Sequence, residues 1–73
     1  MIREQVKHAV GAYMGELDEA MLCNVYRMVL DEVEKALLEV VMERADNNQT
    51  TAARILGINR NTLRRKLEKY DLP

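Results

Sequence analysis

The chain has few of the residues on which small stable domains and enzymes usually depend. Its 73 residues include one cysteine, one proline, three glycines and no phenylalanine, tryptophan or serine. A single cysteine excludes a disulfide framework and favours a reducing cytoplasm. Without serine, and with one histidine, one chain cannot assemble the usual nucleophile and base pairs, so we expect no enzyme.

The sequence also gives no sign of a membrane segment, a metal site or a cofactor. Its uninterrupted apolar runs, such as residues 40–42, are far too short to cross a bilayer. Charge from Arg3 onward argues against a signal peptide. Glu39 and Glu43 share a helix face, but without a histidine ligand they indicate solvated surface rather than a metal site.

Charge is distributed very unevenly along the chain, although its net value is only -1. Residues 1–47 carry five cations and ten acidic residues, whereas residues 48–70 carry six cations and one acidic residue, Glu68. The C-terminal third therefore has the basic character of a segment that binds nucleic acid or another acidic partner.

The first half of the sequence predicts two amphipathic helices. Residues 2–16 have apolar side chains at helical spacing. A longer helix is expected from residue 25 to about residue 45, a stretch without proline or glycine. Asp18 and Asn24 are equally good caps for it, and local chemistry does not separate them.

The long helix is predicted to be apolar on most of its circumference. A wide stripe comprises Leu22, Val25, Tyr26, Val29, Val33, Ala36, Leu37 and Val40, and a second set outside it comprises Met28, Leu30, Leu38, Val41 and Met42. The short neighbouring helices of one chain are not expected to cover so much apolar surface. We therefore expect a two-fold homodimer built on this helix, the alternative being a helix fully covered within a monomer.

The C-terminal segment predicts two short helices joined by a tight corner. Residues 46–48 offer turn chemistry, and residues 49–56 form the first short helix. Gly57 fits the left-handed position at its end, and Asn59 can cap a last helix over residues 60–70. This order is that of a helix-turn-helix, whose second helix enters the DNA major groove.

Helical spacing separates this pair of helices into a packing face and an outward face. The packing face comprises Ala52, Ala53, Leu56, Ile58, Leu63, Leu67 and Tyr70, and the outward face comprises Asn61, Arg64, Arg65 and Lys69. Arginine can bond a guanine edge, asparagine an adenine edge, and lysine a phosphate. Charge alone would be weak support for nucleic-acid binding, since a helix C-terminus favours cations. The combination of small packing residues, a corner glycine, a capping asparagine and outward cations indicates that this segment binds nucleic acid.

The segment NNQTTAARILGINRNTLRRKLEKY closely resembles the C-terminal helix-turn-helix of the Fis family, bacterial nucleoid proteins named for factor for inversion stimulation. VYRMVLDEVEKALLEVVME resembles the long dimerisation helix of that family. The resemblance runs from about Arg3 to Tyr70. It implies an all-α fold of four helices, with dimerisation helices over residues 1–47 and a helix-turn-helix unit over residues 48–73, in a chain whose length allows one compact domain overall. The alternatives are the C-terminal DNA-binding domain of an NtrC-type activator, which the segment also resembles, and a dimeric protein-interaction scaffold.

The resemblance further implies a homodimeric, cytoplasmic, nucleoid-associated regulator of transcription that binds and bends double-stranded DNA. Asn59 and Arg60 match the base-proximal pair of the family, with Arg60 reaching a guanine near each end of the site. The positions that match phosphate-backbone contacts are Asn48, Thr50, Thr62, Arg64, Arg65 and Lys69. Few bases are read directly, so low sequence specificity with an A·T-rich centre is expected.

Some positions differ from the family pattern. The family often has a cation at Thr51 and another at Glu68, so a gentler salt dependence is expected here. Some relatives carry proline at Ala36, which kinks the long helix. The N-terminal β-hairpin arm of longer relatives, which touches a recombinase, is not expected, nor is stimulation of inversion. In the family, the turn between the second and third helices has been linked to contact with RNA polymerase. Residues 46–47 occupy that turn here, but the sequence does not indicate which residue would make the contact.

Overall fold

The computed structural model describes residues 2–73, and this part of the chain is helical without any strand. Four α-helices follow one another as α1 (Ile2–Gly15), α2 (Val25–Arg44), α3 (Gln49–Leu56) and α4 (Arg60–Lys69). A short 3-10 helix, Glu19–Met21, lies between α1 and α2. The predicted all-α class and the four predicted helices are confirmed, with ends that differ by about one residue.

The structure shows which of the two candidate caps, Asp18 or Asn24, lies at the start of α2. Asp18 precedes the 3-10 helix, which the sequence pattern did not predict, and its side chain makes no capping hydrogen bond. Asn24 directly precedes α2, and its carbonyl accepts a hydrogen bond from the Met28 N–H at 3.0 Å. Asn24 has a left-handed φ of 57°, which asparagine tolerates better than most residues. Asn24 therefore begins the helix through its backbone carbonyl.

The chain divides into two compact units, Met1–Asp31 and Glu32–Pro73. The second unit contains the buried core. The core residues are Leu38, Val41, Met42 and Ala45 from the C-terminal part of α2 and its end, Ala52 and Ala53 from α3, and Leu63 and Leu67 from α4. The assignment of residues 1–47 to dimerisation and of residues 48–73 to DNA binding concerns function and stays a prediction.

The turn between α2 and α3 directs the helix-turn-helix onto α2. Asp46 and Asn47 adopt left-handed φ values of 53° and 63°. The Asn47 N–H donates to the Met42 carbonyl at 2.9 Å, and the Asn48 N–H donates to the Ala45 carbonyl at 3.0 Å. These bonds satisfy carbonyl groups at the end of α2 that have no partner within the helix. The two left-handed residues thus reverse the chain and bring α3 against the buried face of α2.

One face of α2 is left uncovered in the second unit. Val33, Leu37 and Val40 keep 42%, 49% and 66% of their surface exposed. Sequence reasoning placed these three residues in the main apolar stripe and treated Leu38 and Val41 as additional apolar surface. The structure buries Leu38, Val41 and Met42 of this additional set in the core with α3 and α4, whereas Leu30 stays 47% exposed and Met28 is half-buried. Within residues 2–73, none of the helices has the length and apolar content that a membrane span requires.

Candidate nucleic-acid interface

The corner between α3 and α4 is built on Gly57. This residue has φ 74° and ψ 30°, the left-handed conformation predicted for it. Its N–H donates to the Ala53 carbonyl at 2.8 Å, and the Ile58 N–H donates to the same carbonyl at 3.1 Å. Because glycine has no Cβ, it adopts this conformation without the strain that an L side chain would introduce. The corner fixes the direction in which α4 leaves α3.

The small residues of α3 allow α4 to lie close to it. Ala52 and Ala53 are buried, as are Leu63 and Leu67 of α4, and Leu56 and Ile58 pack against this core. The packing face predicted from helical spacing is therefore confirmed. A bulky side chain in place of either alanine would push the two helices apart. This close packing positions the exposed surface of α4 relative to the first turn of α3.

Asparagine side chains cap both helices of the pair. Asn48 Oδ1 accepts a hydrogen bond from the Thr51 N–H at 3.1 Å. Asn59 Oδ1 accepts one from the Asn61 N–H at 2.7 Å. Each cap satisfies a backbone donor that the helix leaves unpaired. Because one acceptor position of each Oδ1 atom is used within the helix, the Nδ2 donors are the groups that these two side chains keep fully available for a ligand.

The structure brings together two residues that sequence reasoning assigned to different DNA contacts. Arg60, at the start of α4, donates from Nη1 to Thr50 Oγ1 at 3.2 Å, and Thr50 lies in the first turn of α3. Both residues are exposed. The hydroxyl oxygen thereby holds the guanidinium beside the N-terminal ends of both helices, where backbone N–H groups and the helix dipole favour an anion.

The outward face of α4 carries exposed polar and cationic side chains, as helical spacing predicted. Asn61, Arg64, Arg65 and Lys69 are exposed, and Thr62 is half-buried. The Lys69 ammonium lies 5.1 Å from the centroid of the Tyr70 ring. A duplex approaching this face would meet three cations within six residues.

Lys66 of α4 does not belong to this outward set, because it binds α2. Lys66 Nζ lies 2.8 Å from Glu34 Oε2 on α2, and the Tyr70 hydroxyl donates to Glu34 Oε1 at 2.5 Å. The hydrogen bonds from Lys66 and then Tyr70 lower the pKa of Glu34 below its usual value. Sequence reasoning missed this cluster, because Glu34 stands more than 30 residues before its partners and no local pattern links them.

The fold and this surface define a DNA-binding helix-turn-helix protein. The model of the Fis family of bacterial regulatory proteins matches residues 29–70, more than half of the chain. The chain therefore belongs to the Fis family. The match covers most of α2 and the whole of α3 and α4. It confirms the resemblance drawn from the sequence over that range and the DNA-binding character of the helix pair, which is of the Fis and NtrC type.

Proposed function

We propose that this protein is a homodimeric, nucleoid-associated regulator of transcription that binds and bends DNA with low sequence specificity. The observation that carries the proposal is the division of α2 into two apolar faces. One face is buried under the helix-turn-helix, whereas Val33, Leu37 and Val40 on the other face remain exposed. A helix that supports a DNA-reading unit on one side and offers an apolar surface on the other is suited to join two such units.

The spacing of the exposed residues favours a second copy of the same helix as the partner. Val33, Leu37 and Val40 are separated by four and three residues, the spacing of a coiled-coil seam. Leu30 and Tyr26 continue the same spacing along α2 and are also exposed. A self-complementary seam of this kind generates a two-fold dimer, which presents the same DNA-reading surface twice.

The roles proposed for the site residues are those that the family resemblance implies, and the chemistry of the interface supports them. Arg60 is proposed to bond a guanine edge, and Asn59, whose Oδ1 caps α4, is proposed to donate from Nδ2 to a neighbouring base. The remaining residues are proposed to hold the phosphate backbone: Asn48, Thr50, Thr62, Arg64, Arg65 and Lys69. Asn48 and Thr50 have support from their position at the start of α3, where phosphate is favoured.

Two base-proximal residues per half-site can specify little sequence directly. The remaining preference is proposed to arise from the energy needed to deform the duplex, which is lower in flexible A·T-rich DNA. We therefore expect a degenerate site with a guanine on each flank and an A·T-rich centre. RNA polymerase is a further proposed partner in transcription, through the turn between α2 and α3.

Binding to short duplexes tests the proposal. The wild-type dimer is expected to bind a site with flanking guanines and an A·T-rich centre, to retard its migration as bent DNA does, and to bind less tightly as salt rises. Arg60→Ala should cost about 1–3 kcal/mol and abolish the preference for the flanking guanine. Arg65→Ala is the matched control, since it removes an exposed arginine of the same helix and should weaken binding to every sequence alike.

Two results would contradict the proposal in different ways. Equal losses from both variants on every sequence would exclude base recognition by Arg60. A folded dimer that binds none of the duplexes would favour the scaffold alternative, in which the basic surface binds an acidic protein.

A further inference from the structure

Glu34 of α2 is engaged at the same time by Lys66 of α4 and by Tyr70, the residue that directly follows α4. Its Oε2 accepts from Lys66 Nζ at 2.8 Å and its Oε1 accepts from the Tyr70 hydroxyl at 2.5 Å. All three residues are partly shielded from solvent, with 30% of the Glu34 side chain exposed. We call these three residues the Glu34 clamp. Both carboxylate oxygens are thus used in joining one helix to the other.

The clamp adds directional contacts to a packing arrangement that is otherwise apolar. The Gly57 corner sets the start of α4, and Leu63, Leu67 and the half-buried Tyr70 pack in the core. Apolar contacts are not directional, so they define the position of the C-terminal end of the helix less sharply than hydrogen bonds do. Hydrogen bonds require particular distances and angles. Those of the clamp are placed at the C-terminal end of α4, away from Arg60 at its start.

We propose that Glu34 is a positioning residue that fixes the tilt of α4 on α2 and thereby sets how far the protein bends DNA. The inference rests on the proposed function, in which α2 joins the two protomers and α4 enters the groove. In such a dimer the angle between α4 and α2 determines the relative placement of the two reading helices. The duplex must bend to meet both helices, so a change of tilt changes the bend.

The clamp has a second consequence for DNA binding. Lys66 lies in the basic C-terminal segment, but Glu34 neutralises it within the protein. Hydrogen bonds from Lys66 and Tyr70 keep the carboxylate ionised by lowering its pKa, and the charge of Lys69 contributes in the same direction. Lys66 is therefore not expected to release a counterion from DNA in the wild-type protein. Loss of the Glu34 charge would release Lys66 to contact phosphate.

Two clamp variants and one control test the inference. Glu34→Gln has nearly the same shape and removes the charge, and Tyr70→Phe removes only the hydroxyl group. Glu39→Gln is the matched control, since it makes the same change at an exposed position of the same helix. Circular dichroism and sedimentation would establish folding and oligomeric state, and binding over a salt series with circularly permuted duplexes would give the salt slope and the bend angle.

Both clamp variants are expected to shift the bend angle while keeping the preference for the flanking guanine, because Arg60 is unchanged. Glu34→Gln should also steepen the salt slope by about one unit per protomer, since each newly available cation adds about 0.9 to it. Glu39→Gln should change neither the bend nor the guanine preference. If the clamp only stabilised the fold, its variants would have a lower melting temperature but the same bend angle and the same salt slope as the wild type.

The outcomes separate this inference from the proposed function. If the wild-type protein bends DNA and both clamp variants bend it by the same angle as the wild type, the positioning role is wrong and the proposed function stands, whatever the salt slope. If the wild-type protein binds its site without bending it, the proposed function is wrong and the inference falls with it. Should Glu34→Gln fail to fold, Tyr70→Phe decides, because it retains the charge pair.

Discussion

A charged residue at Val40, the most exposed valine of the proposed seam on α2, should separate the proposed dimer without disturbing the protomer. Val40 keeps 66% of its surface exposed, so Val40→Glu removes little packing within one chain. In the dimer the same position lies in the proposed seam, and two-fold symmetry introduces the change twice. The substitution therefore distinguishes a buried seam from a solvated surface.

The expected magnitude follows from the exposed fraction. Complete burial of a valine side chain contributes about 1.5–3 kcal/mol relative to exposure. Two thirds of that contribution is available to the dimer at Val40, about 1–2 kcal/mol per protomer and about 2–4 kcal/mol for the pair. Its loss should weaken association by roughly 30- to 700-fold, since 1.4 kcal/mol corresponds to a factor of ten. Burial of two carboxylates would weaken it further.

Sedimentation equilibrium over a range of protein concentrations measures this effect. Ile55→Glu is the control, because Ile55 is an apolar residue of α3 with 49% of its surface exposed and lies outside the seam. Val40→Glu should become monomeric at concentrations where Ile55→Glu remains dimeric, with the helical circular dichroism of the wild type. The dimer reasoning would be refuted if Val40→Glu associated as tightly as the control did.

Three further predictions concern the DNA-reading unit. Leu63→Ala removes a fully buried side chain and should lower the free energy of unfolding in urea by about 2–5 kcal/mol; a loss below 1 kcal/mol would contradict the packing described. Thr50→Val removes the acceptor of the Arg60 guanidinium and should reduce the guanine preference, whereas Thr50→Ser retains it; equal binding by both variants would exclude this role. The pKa of Glu34 is lowered in the folded protein. The ionised Glu34 carboxylate therefore stabilises the fold fully above its ordinary pKa of 4.5, and this stabilisation is lost as the pH falls through the lowered pKa of the folded protein. Thermal melts should therefore show a larger acid destabilisation in the wild type than in Glu34→Gln, and parallel curves would contradict it.

The features that were predictable from the sequence depend on chemistry within a few residues. Asn48 and Asn59 cap the helices that follow them, and Gly57 adopts the left-handed conformation of a helix end. Each of these residues acts on backbone groups at most four positions away. Their conformational preferences are intrinsic, so the sequence alone indicates where the helices of the pair begin and end.

The features that were not predictable depend on how separate helices meet. Both apolar faces of α2 have suitable residues, and the pattern does not reveal which face lies under α3 and α4. That choice is made by the backbone of Asp46 and Asn47, whose paired left-handed conformations direct the chain toward Leu38 and Val41. The partners of Glu34 become evident only after this choice, since Lys66 and Tyr70 stand more than 30 residues later in the chain.

The same long-range pairing changes how the charge of the basic segment should be interpreted. Residues 48–70 contain six cations, but Lys66 is paired with Glu34 from the acidic part of the chain. The cations proposed to contact phosphate are Arg64, Arg65 and Lys69, which makes six in a dimer, because Arg60 is assigned to a guanine edge. At about 0.9 per phosphate contact, the slope of log affinity against log salt should be about 5 in magnitude. A steeper measured slope would mean that Arg54, Arg60 or Lys66 also contacts phosphate, and in the last case that DNA opens the contact between Lys66 and Glu34.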